Sequence, residues 1–385
     1  MSQINIRNLS NENDDGAPDI VGVSTFSATS YFVPPKGTTA ERPDNPQEGD
    51  LRFNTDSASL EYFRGDTLNW TQIEMTSPDL GGGTGSNAGV GARGFQAAGG
   101  NPGVNTIIEY LTISTLGDTQ DFGDLTLARS SSSNFSSTTR GVIVGGYTAA
   151  NTNVMDYVTI ATLGNAIDFG DMVTNTHTYA PMGTGDRTRG VVQTGLKLPS
   201  PYTVFNTIQY NTIATTGNAI DFGDSTQGRS DGGALNSSTR SVFAGGYTGN
   251  VPTAGSTNII DYVTTSTLGN ATDFGDILVG KIINDTGASN STRGLFFGSR
   301  SPANINNIEY ITIATTGNAT DFGDSTFSGG YRCATSSPTR AVEFQSSGSI
   351  IDYVEIMTTG NAVDFGDQTT TLNYSTAFSN AHGGL

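Results

Sequence analysis

The tetrapeptide Asp-Phe-Gly-Asp occurs six times in this chain of 385 residues, and its recurrence limits the fold more than any other feature. The copies begin at regularly spaced aspartates, namely Asp121, Asp168, Asp221, Asp273, Asp321 and Asp364. Repeats with a period of about 20 to 50 residues mark solenoids, propellers and other modular arrays. The chain is therefore expected to consist of repeated structural units, and catalysis is not the first expectation.

The same landmarks surround each copy in the same order. A Tyr precedes the first Asp of every motif at one constant separation, and a Gly followed by Asn or Asp lies between them. The tyrosines are Tyr110, Tyr157, Tyr210, Tyr262, Tyr310 and Tyr353. An arginine opens each unit before a short apolar run, at Arg93, Arg140, Arg189, Arg240, Arg293 and Arg340. Separate landmarks therefore agree on six units.

Each unit contains the pattern of several short strands. The run from Arg140 to Tyr147 indicates a buried strand that ends in a Gly pair, and a second strand follows, as in Thr207 to Ile213. A Gly-Asn step then turns the chain, and the motif and further Ser/Thr-rich strands follow. Abundant Thr, Ser and Gly favour strands joined by tight turns. Four short strands in a unit of this length are typical of a propeller blade.

The spacing of the landmarks predicts how the array closes. The separation between the first Asp of a motif and the next Arg is nearly constant, as from Asp121 to Arg140, and the chain continues beyond Asp364 for an equivalent length. The tail 368–385 is therefore expected to supply the strand or strands that Arg93 lacks upstream. One blade would then be built from both termini, which limits the exposed sheet edges that promote aggregation.

These patterns predict an all-β fold with two parts. A six-bladed β-propeller closed by both termini is expected over 88–385. A small β-rich attachment module is expected over 1–80, and a Gly-rich linker over 81–87. Linkers rich in Gly are flexible, which suits a domain boundary.

The N-terminal module has its own strand pattern. A short apolar strand is expected at 20–23, and a hairpin is expected where apolar residues alternate on both sides of a polar turn. These alternating residues are Leu51, Phe53, Leu60 and Tyr62. The sole Trp, Trp70, is expected to close the core of this module rather than to form a ligand platform.

Two resemblances suggest where such a chain is found. The order of Pro, Gly-Asp, Arg-Phe-Asn and Tyr-x-x-Gly elements between Gly37 and Trp70 closely resembles a segment near the N-termini of bacteriophage tail-fibre and other virion proteins. The repeats resemble the kelch repeat in their apolar strand, Gly-Gly doublet, Tyr and large aromatic residue. The doublet stands at Gly99-Gly100, Gly145-Gly146 and Gly245-Gly246, but the equivalent places read Thr194-Gly195, Gly298-Ser299 and Gln345-Ser346.

The units look still more like an Asp-Phe-Gly-Asp repeat of structural proteins in marine and cyanobacterial phages. This likeness implies a virion structural protein, made in the host cytoplasm and assembled into the phage particle. It implies contacts with other virion proteins through the N-terminal module, and fibre-like segments of this kind form homo-oligomers, often trimers.

Composition excludes several other classes. A net charge of −18 and a pI near 4.3 disfavour a nucleic-acid partner, which needs a basic footprint. The single cysteine, Cys333, excludes a disulfide framework and a cysteine metal cage. Residues 1–20 lack a basic start and an apolar core, so no secretory signal is expected. No apolar run approaches the length of a membrane span.

The repeated motif is expected to be structural. Asp-Phe-Gly resembles the metal-binding tripeptide of protein kinases, but six copies without a phosphate loop or a catalytic-loop motif exclude kinase chemistry. Pairs such as Asp121 and Asp124 offer too few carboxylates for a typical calcium loop, so no metal and no cofactor are expected. The motif phenylalanines are expected to pack between neighbouring blades: Phe122, Phe169, Phe222, Phe274, Phe322 and Phe365.

Specific roles follow for the other motif residues. The Gly is expected to allow a turn, and one Asp to cap exposed amides or to pair with the repeated Arg. His177 and His382 fall at different points of their units, and no nucleophile elbow is present. Because the acids and arginines simply repeat, enzymatic activity is not expected.

Differences between units suggest where a partner binds. The separation between the opening Arg and the Tyr is the same in the first, second and fifth units, longer in the third and fourth, and shorter in the sixth. The extra length forms two connections, 196–205 and 249–257, which should lie side by side on one rim. Aromatic residues and prolines there suit a glycan or protein ligand, although drift in exposed loops would also explain them. The candidate binding residues are Pro199, Pro201, Tyr202, Tyr247 and Pro252.

The sequence thus favours a tail fibre, or a tail or neck appendage, that displays a propeller for host attachment and receptor binding. A purely architectural collar, tail or capsid-associated protein is the alternative. A glycan-cleaving enzyme is a third, less favoured reading. Fold alone does not separate the first two.

Overall fold

The computed structural model describes residues 34–56, 59–65, 69–72, 92–100, 103–173, 178–199, 202–249, 255–284, 287–300, 303–346 and 348–385. These residues form an all-β protein in which no α-helix is present within the described ranges. The chain divides into two compact parts, which we call the N-terminal domain, Met1–Ser77, and the repeat domain, Pro78–Leu385. The expected strand at 20–23 and the linker 81–87 lie outside the described residues.

The N-terminal domain contains one sheet of four strands in the order β1-β2-β3-β4. Its elements are β1 (Lys36–Gly37), a 3-10 helix (Thr39–Glu41), β2 (Leu51–Asn54), β3 (Ser59–Phe63) and β4 (Trp70–Gln72). The predicted hairpin is confirmed, because Leu51 pairs with Tyr62 and Phe53 pairs with Leu60 in antiparallel register.

The buried side of this hairpin carries polar side chains. Glu61 is fully buried, and Arg42 Nη2 lies 2.6 Å and Arg52 Nη1 3.5 Å from its carboxylate oxygens. The hydrogen bond from Arg42 lowers the pKa of Glu61. Both arginines also lie over the ring of the partly buried Trp70, at 5.9 Å. The alternation therefore predicted the strands correctly, but an ion cluster and not the apolar set occupies the covered face.

The repeat domain contains the remaining strands. In chain order they are β5 (Arg93–Ala97), β6 (Asn105–Thr112), β7 (Gln120–Arg129), β8 (Ser133–Ser136), β9 (Arg140–Val144), β10 (Val154–Thr159), β11 (Ile167–Asp171), β12 (Met182–Gly185), β13 (Arg189–Gln193), β14 (Leu196–Lys197), β15 (Thr203–Val204), β16 (Thr207–Thr212), β17 (Ile220–Asp224), β18 (Gly233–Asn236), β19 (Arg240–Ala244), β20 (Ile259–Thr264), β21 (Thr272–Asp276), β22 (Gly287–Ser289), β23 (Arg293–Ser299), β24 (Ile305–Thr312), β25 (Thr320–Asp324), β26 (Cys333–Ser336), β27 (Arg340–Phe344), β28 (Ile350–Glu355), β29 (Val363–Asp367) and β30 (Thr376–Ser379).

These strands form four-stranded antiparallel sheets, one for each sequence unit. Their strand orders are β30-β5-β6-β7, β8-β9-β10-β11, β12-β13-β16-β17, β18-β19-β20-β21, β22-β23-β24-β25 and β26-β27-β28-β29. We name the four strands of each sheet, in this order, the lead, Arg, Tyr and Asp strands, after the residues that they carry. A separate two-stranded sheet, β14-β15, lies in the long connection of the third unit.

The first sheet of the repeat domain combines strands from both ends of that domain. Its lead strand is β30, and Thr376 pairs with Ala97 while Phe378 pairs with Phe95. The rings of Phe95 and Phe378 stack with centroids 4.7 Å apart. The predicted pairing of the tail with the first unit is thus confirmed.

The hydrophobic core consists of clusters between neighbouring sheets. In one cluster Phe95 and Phe122 of the first sheet pack against Ile143 and Val158 of the second. Another joins Phe365 of the sixth sheet to residues of the first. Every motif Phe is at most 3% exposed. Each lies edge-on to the Tyr of its own unit at 5.8 to 6.1 Å, in the pairs 110–122, 157–169, 210–222, 262–274, 310–322 and 353–365.

The motif Gly has a different role from the expected turn. Gly123 lies within β7 at φ +150°, and a Cβ there would stand 2.5 Å from the carbonyl oxygen of Gly164 in the next unit. Gly164 donates its backbone amide to Phe122 O (3.0 Å), and Asn165 Oδ1 accepts from the amide of Asp124 (3.1 Å). The glycine is therefore needed because the next unit's Gly-Asn step approaches too closely for any side chain.

We call this contact the clasp, and it joins each Asp strand to the Gly-Asn or Gly-Asp step of the next unit. The amides of Asp171, Asp224, Asp276 and Asp324 donate to the asparagine side chain of the following unit, just as Asp124 does. The amide of Asp367 donates to Asp118 Oδ1 of the first unit at 3.0 Å. The recurrence of both sequence landmarks is thus explained by one contact between sheets.

The repeated arginines do not pair with motif aspartates in the described structure. Each guanidinium lies over the Tyr ring of its own unit, 4.4 to 4.9 Å from the centroid. Arg240, for example, stacks on Tyr262 and donates from Nη1 to Ile313 O of the next unit (2.7 Å). The Tyr strand separates the Arg and Asp strands, and two strand spacings of about 5 Å each are too far for an ion pair.

Candidate functional site

The structure places two of the predicted binding residues in one cavity. Tyr202 and Tyr247 both line a cavity of about 730 Å³ at one end of the lead strands. Pro199 follows the lining residue Leu198 through a cis peptide bond. Pro201 and Pro252 lie outside the described residues.

The two long connections meet beside this cavity. A Cβ on Gly249 would lie 3.3 Å from the side chain of Val204 and 3.5 Å from the carbonyl oxygen of Tyr202. The third unit's connection carries Tyr202, and the fourth unit's connection begins just after Tyr247. Loop length therefore brings two tyrosines from different units to the same opening.

Each repeat contributes one residue with left-handed backbone at an equivalent place, and we call these six the floor residues; Ser131, Asp231 and Tyr374 line the cavity itself. Five of them stand nine residues before a repeated Arg, and Tyr374 takes the equivalent place ahead of β30. Their φ values run from +48° to +64°, which is uncommon for side chains other than Gly. The floor residues are Ser131, Ala180, Asp231, Asn284, Tyr331 and Tyr374.

Hydrogen bonds link the floor residues in succession. Ala180 donates its amide to Ser131 O (2.8 Å), Asp231 to Ala180 O (3.1 Å) and Asn284 to Asp231 O (2.9 Å). Tyr331 donates to the Asn284 side chain (3.4 Å), and Tyr374 to Tyr331 O (3.3 Å). Ser131 in turn donates to Tyr374 O (2.8 Å). Left-handed backbone at each unit presents these amides and carbonyls to one another.

The wall comes from a second equivalent position, seven residues after the repeated Arg. Tyr147, Leu196, Tyr247 and Arg300 occupy it in the second to fifth units, and all line the cavity. Backbone bridges fix their height, because Ser130 pairs with Tyr147 and Ser230 with Tyr247. The same place in the architecture thus holds two phenols, an aliphatic side chain and a cation.

The lining is strongly aromatic. Tyrosines supply five of the twelve lining residues: Tyr147, Tyr179, Tyr202, Tyr247 and Tyr374. Tyr147 and Tyr179 lie edge to face with centroids 5.9 Å apart. Tyr374 packs on Tyr331 at 3.8 Å, and Arg300 lies over the Tyr331 ring at 4.5 Å. Contacts among the rings therefore hold much of the cavity surface in place before any ligand arrives.

Asp231 provides the carboxyl group of the lining, and its surroundings disfavour the charged form. Burial raises its pKa. Ser230 Oγ donates to one of its oxygens (2.8 Å) and Asn284 Nδ2 to the other (2.9 Å). Burial likewise raises the pKa of Tyr179 to about 12 and raises that of Tyr374. These two phenols therefore keep their protons at neutral pH and serve as hydrogen-bonding groups.

The described lining of the cavity contains one carboxyl group, that of Asp231. Glycoside hydrolysis commonly uses two carboxyl groups on either side of the scissile bond. The lining supplies Asp231 alone, and its oxygens already accept hydrogen bonds from Ser230 and Asn284. Within the described ranges, no group of three or more His, Cys, Asp or Glu residues could hold a metal ion.

Sequence reasoning missed most of this site. Tyr147 belongs to the same Gly-Gly-Tyr run as Tyr247 and could have been inferred from it. Asp231, Arg300 and Tyr374 carry no local motif. Their signal is that residues at one position of the repeat differ between units, and this becomes visible only when the units are aligned on their arginines.

In the part of the chain that the structure describes, no helix has the length and apolar character needed to cross a membrane. No protein-family model matches the chain, and no curated protein is significantly similar to it.

Proposed function

We propose that this chain is a bacteriophage virion protein, either a tail fibre or a tail or neck appendage. Its repeat domain would be a closed six-bladed β-propeller that binds the host surface. The observation that carries the binding role is the tyrosine-lined cavity, where positions that repeat in the fold stop repeating in chemistry. The resemblance of the Gly37 to Trp70 segment to virion proteins supplies the phage context.

Three contacts support closure of the propeller. The clasp that joins consecutive sheets also joins the sixth to the first, where Gly117 donates to Phe365 O at 3.0 Å. The Arg contact recurs there too, since Arg340 Nη1 donates to Ser114 O at 3.1 Å. The lead strand of the first sheet is β30. Closure would set the six lead strands around one axis, with the cavity at one end of it.

The cavity has the properties of a ligand site. Binding pockets typically measure about 300–1,000 Å³ and combine apolar or aromatic walls with a few polar groups. Tyrosine offers a large rigid face together with a hydroxyl at low conformational cost, which is why it is common in recognition surfaces. An outward-facing cavity of this kind would take a glycan or an exposed protein side chain of the host.

The architectural alternative has an observation of its own. Large apolar side chains are more than half exposed beside the clasps, among them Leu163 and Ile167 at 60% each and Ile220 at 57%. Such residues would suit contacts with other virion proteins around the outside of the propeller. A collar, tail or capsid-associated component would use this surface and leave the cavity unused.

The test is binding of the purified full-length protein to cells of candidate marine and cyanobacterial strains. We expect saturable binding that competes with phage adsorption and that Tyr247→Ala weakens at least tenfold. The matched control is Tyr62→Ala, which also removes a tyrosine side chain, but from the N-terminal domain, and should leave binding unchanged. Equal binding by both variants, or none by the wild type, would reject the cavity as a host-binding site.

A cryo-electron reconstruction of particles that carry the chain separates the two roles. Residues 34–72 embedded in the tail or neck with the cavity facing outward would support attachment. Both domains packed among other virion proteins would favour the architectural role instead.

A further inference from the structure

Arg300 differs from the buried cations of the repeat domain. Four of these pair with a buried carboxylate, in the pairs Arg129–Asp156, Arg229–Asp261, Lys281–Glu309 and Arg332–Glu343. Arg300 forms no ion pair with any carboxylate of the described ranges, although it lines the cavity. The charge of Arg300 opposes the burial that raises the pKa of Asp231, but no ion pair joins the two groups, so neutral partners supply the close contacts of the guanidinium.

The neutral partners of Arg300 leave donors unused. Its Nη1 donates to the hydroxyl of Tyr331 at 2.7 Å, and its plane lies over the same ring. Its Nε is buried and has no hydrogen-bond partner among the described residues. Tyr331 therefore holds the guanidinium in place at the edge of the cavity, and Nε remains a buried donor without a partner.

Arginine with an open fork matches a carboxylate. The guanidinium presents parallel N–H groups at the spacing of carboxylate oxygens, and such paired bonds are about twice as strong as neutral ones. Asp231 does not fill this role in the described structure, because no ion pair joins it to Arg300 and its burial raises its pKa, which favours the neutral carboxyl. The missing partner would therefore come with the ligand.

The rest of the lining suits the body of a sugar. Tyr147, Tyr179 and Tyr247 offer ring faces, edges and hydroxyls on the wall. A pyranose has one face of C–H groups that packs on an aromatic ring and an equator of hydroxyls that needs donors and acceptors. Aromatic cages also bind quaternary ammonium groups, but the charge of Arg300 repels a cation at this site.

We infer that the cavity binds a sugar bearing a carboxylate, a residue of uronic-acid type in a host-surface glycan, with its carboxylate on Arg300 and its ring among the tyrosines. This inference rests on the proposed function, because it names the ligand class of the same cavity. The net charge of −18 opposes an anion at long range, but screening limits that repulsion to about 8 Å at physiological salt.

The test compares acidic and neutral sugars that differ only at carbon 6. Binding of glucuronic acid and glucose, and of galacturonic acid and galactose, is measured on the full-length chain by saturation-transfer NMR and calorimetry in 0.15 M salt. We expect at least one acid to bind about tenfold or more tightly than its neutral counterpart, as a charge-assisted hydrogen-bond pair requires.

Variants assign that preference to Arg300. Arg300→Met should bring the acid and its neutral counterpart within about twofold of each other, whereas Arg300→Lys keeps the charge and should retain part of the preference. The matched control is Arg187→Met, which also removes one charge, from the exposed turn beyond the opposite end of β12. Tyr247→Ala should weaken both sugars of a pair alike. Unchanged thermal unfolding of each variant excludes misfolding as the cause.

The outcomes separate this inference from the proposed function. Cell binding by the wild type together with equal affinity for acids and neutral sugars, or with a preference that survives in Arg300→Met, overturns the carboxylate inference and leaves host binding standing. An Arg300-dependent preference for an acid without any cell binding supports the site and overturns the proposed role. Failure of both measurements rejects both.

Discussion

Replacement of Gly366 by Ala tests whether the sixth sheet is joined to the first as the other sheets are joined. Gly366 has φ +155°, and a Cβ there would stand 2.5 Å from the carbonyl oxygen of Gly117. The clasp at this point contains three hydrogen bonds of 3.0 Å each, from Gly117 N to Phe365 O, from Thr119 N to Asp367 O and from Asp367 N to Asp118 Oδ1. The added methyl group cannot be accommodated unless the clasp opens.

The expected cost has two parts. Backbone strain for Ala at this φ costs about 1–3 kcal/mol. Loss of the three hydrogen bonds costs about 0.5–1.5 kcal/mol each. Gly366→Ala should therefore lower the free energy of unfolding by about 2.5–7.5 kcal/mol.

Gly117→Ala is the matched control because it shares the strain and not the clash. Gly117 lies across the same clasp at φ +148°, and nothing stands within 4 Å of a Cβ built on it. Its substitution should cost only the strain, about 1–3 kcal/mol. Gly223→Ala provides the reference clasp between the third and fourth sheets, where a Cβ would lie 2.5 Å from Gly269 O.

The assay is urea unfolding of the full-length chain. Far-UV circular dichroism follows unfolding of the repeat domain. Fluorescence of the sole Trp, Trp70, follows unfolding of the N-terminal domain separately. Gly366→Ala should match Gly223→Ala and exceed Gly117→Ala. If Gly366→Ala costs no more than Gly117→Ala while Gly223→Ala costs more, the sixth and first sheets are not clasped and the argument for closure fails.

Three further predictions concern single contacts. Arg240→Ala should cost about 1–3 kcal/mol, because it removes the stack on Tyr262 and a hydrogen bond to the next unit; an unchanged urea midpoint would refute this. Burial lowers the pKa of His382 from 6.5 to about 4, so the unfolded chain binds more protons between these pH values and stability falls as pH drops through that window. The loss is at most about 3 kcal/mol, and His382→Gln should be flatter than the wild type from pH 7 to 4; parallel curves would contradict it. Asp261→Ala leaves Arg229 buried without its carboxylate and should cost about 3–5 kcal/mol, more than the double variant with Arg229→Met, in thermal or urea unfolding; equal costs would show that the pair is not coupled.

Local patterns were predictable where one unit's own residues determine them. The hairpin of β2 and β3, the strand around each repeated Arg, and the pairing of β30 with β5 all followed from periodicity and spacing. Each depends on alternation, turn residues or chain length, which a sequence displays directly.

Predictions failed where a contact depends on how strands or sheets are placed relative to one another, because the spacing of residues along the chain does not show this. The motif Gly was expected to turn the chain, but it makes room for the next unit's Gly-Asn step. One motif Asp was expected to cap exposed amides or to pair with the repeated Arg, but the sheet places the Tyr strand between the Arg and Asp strands, so the pairing does not occur. In the N-terminal domain, Glu61 is buried because Arg42 and Arg52 converge on it, which the alternation alone did not indicate.

The candidate site shows the same division. Unequal connection lengths identified Tyr202 and Tyr247 from the sequence, because insertions in a repeat mark its exposed loops. Asp231, Arg300 and Tyr374 were hidden, since nothing near them in the chain distinguishes them.

The sequence by itself determined the repeated unit, its four-stranded content and the positions that are equivalent from one unit to the next. Those properties are local, because each unit repeats the same turns, glycines and apolar spacings. Only the tertiary structure decided which equivalent positions converge. Sheets packed side by side bring residues nine before and seven after each Arg to one height, and the different side chains at those positions form the cavity.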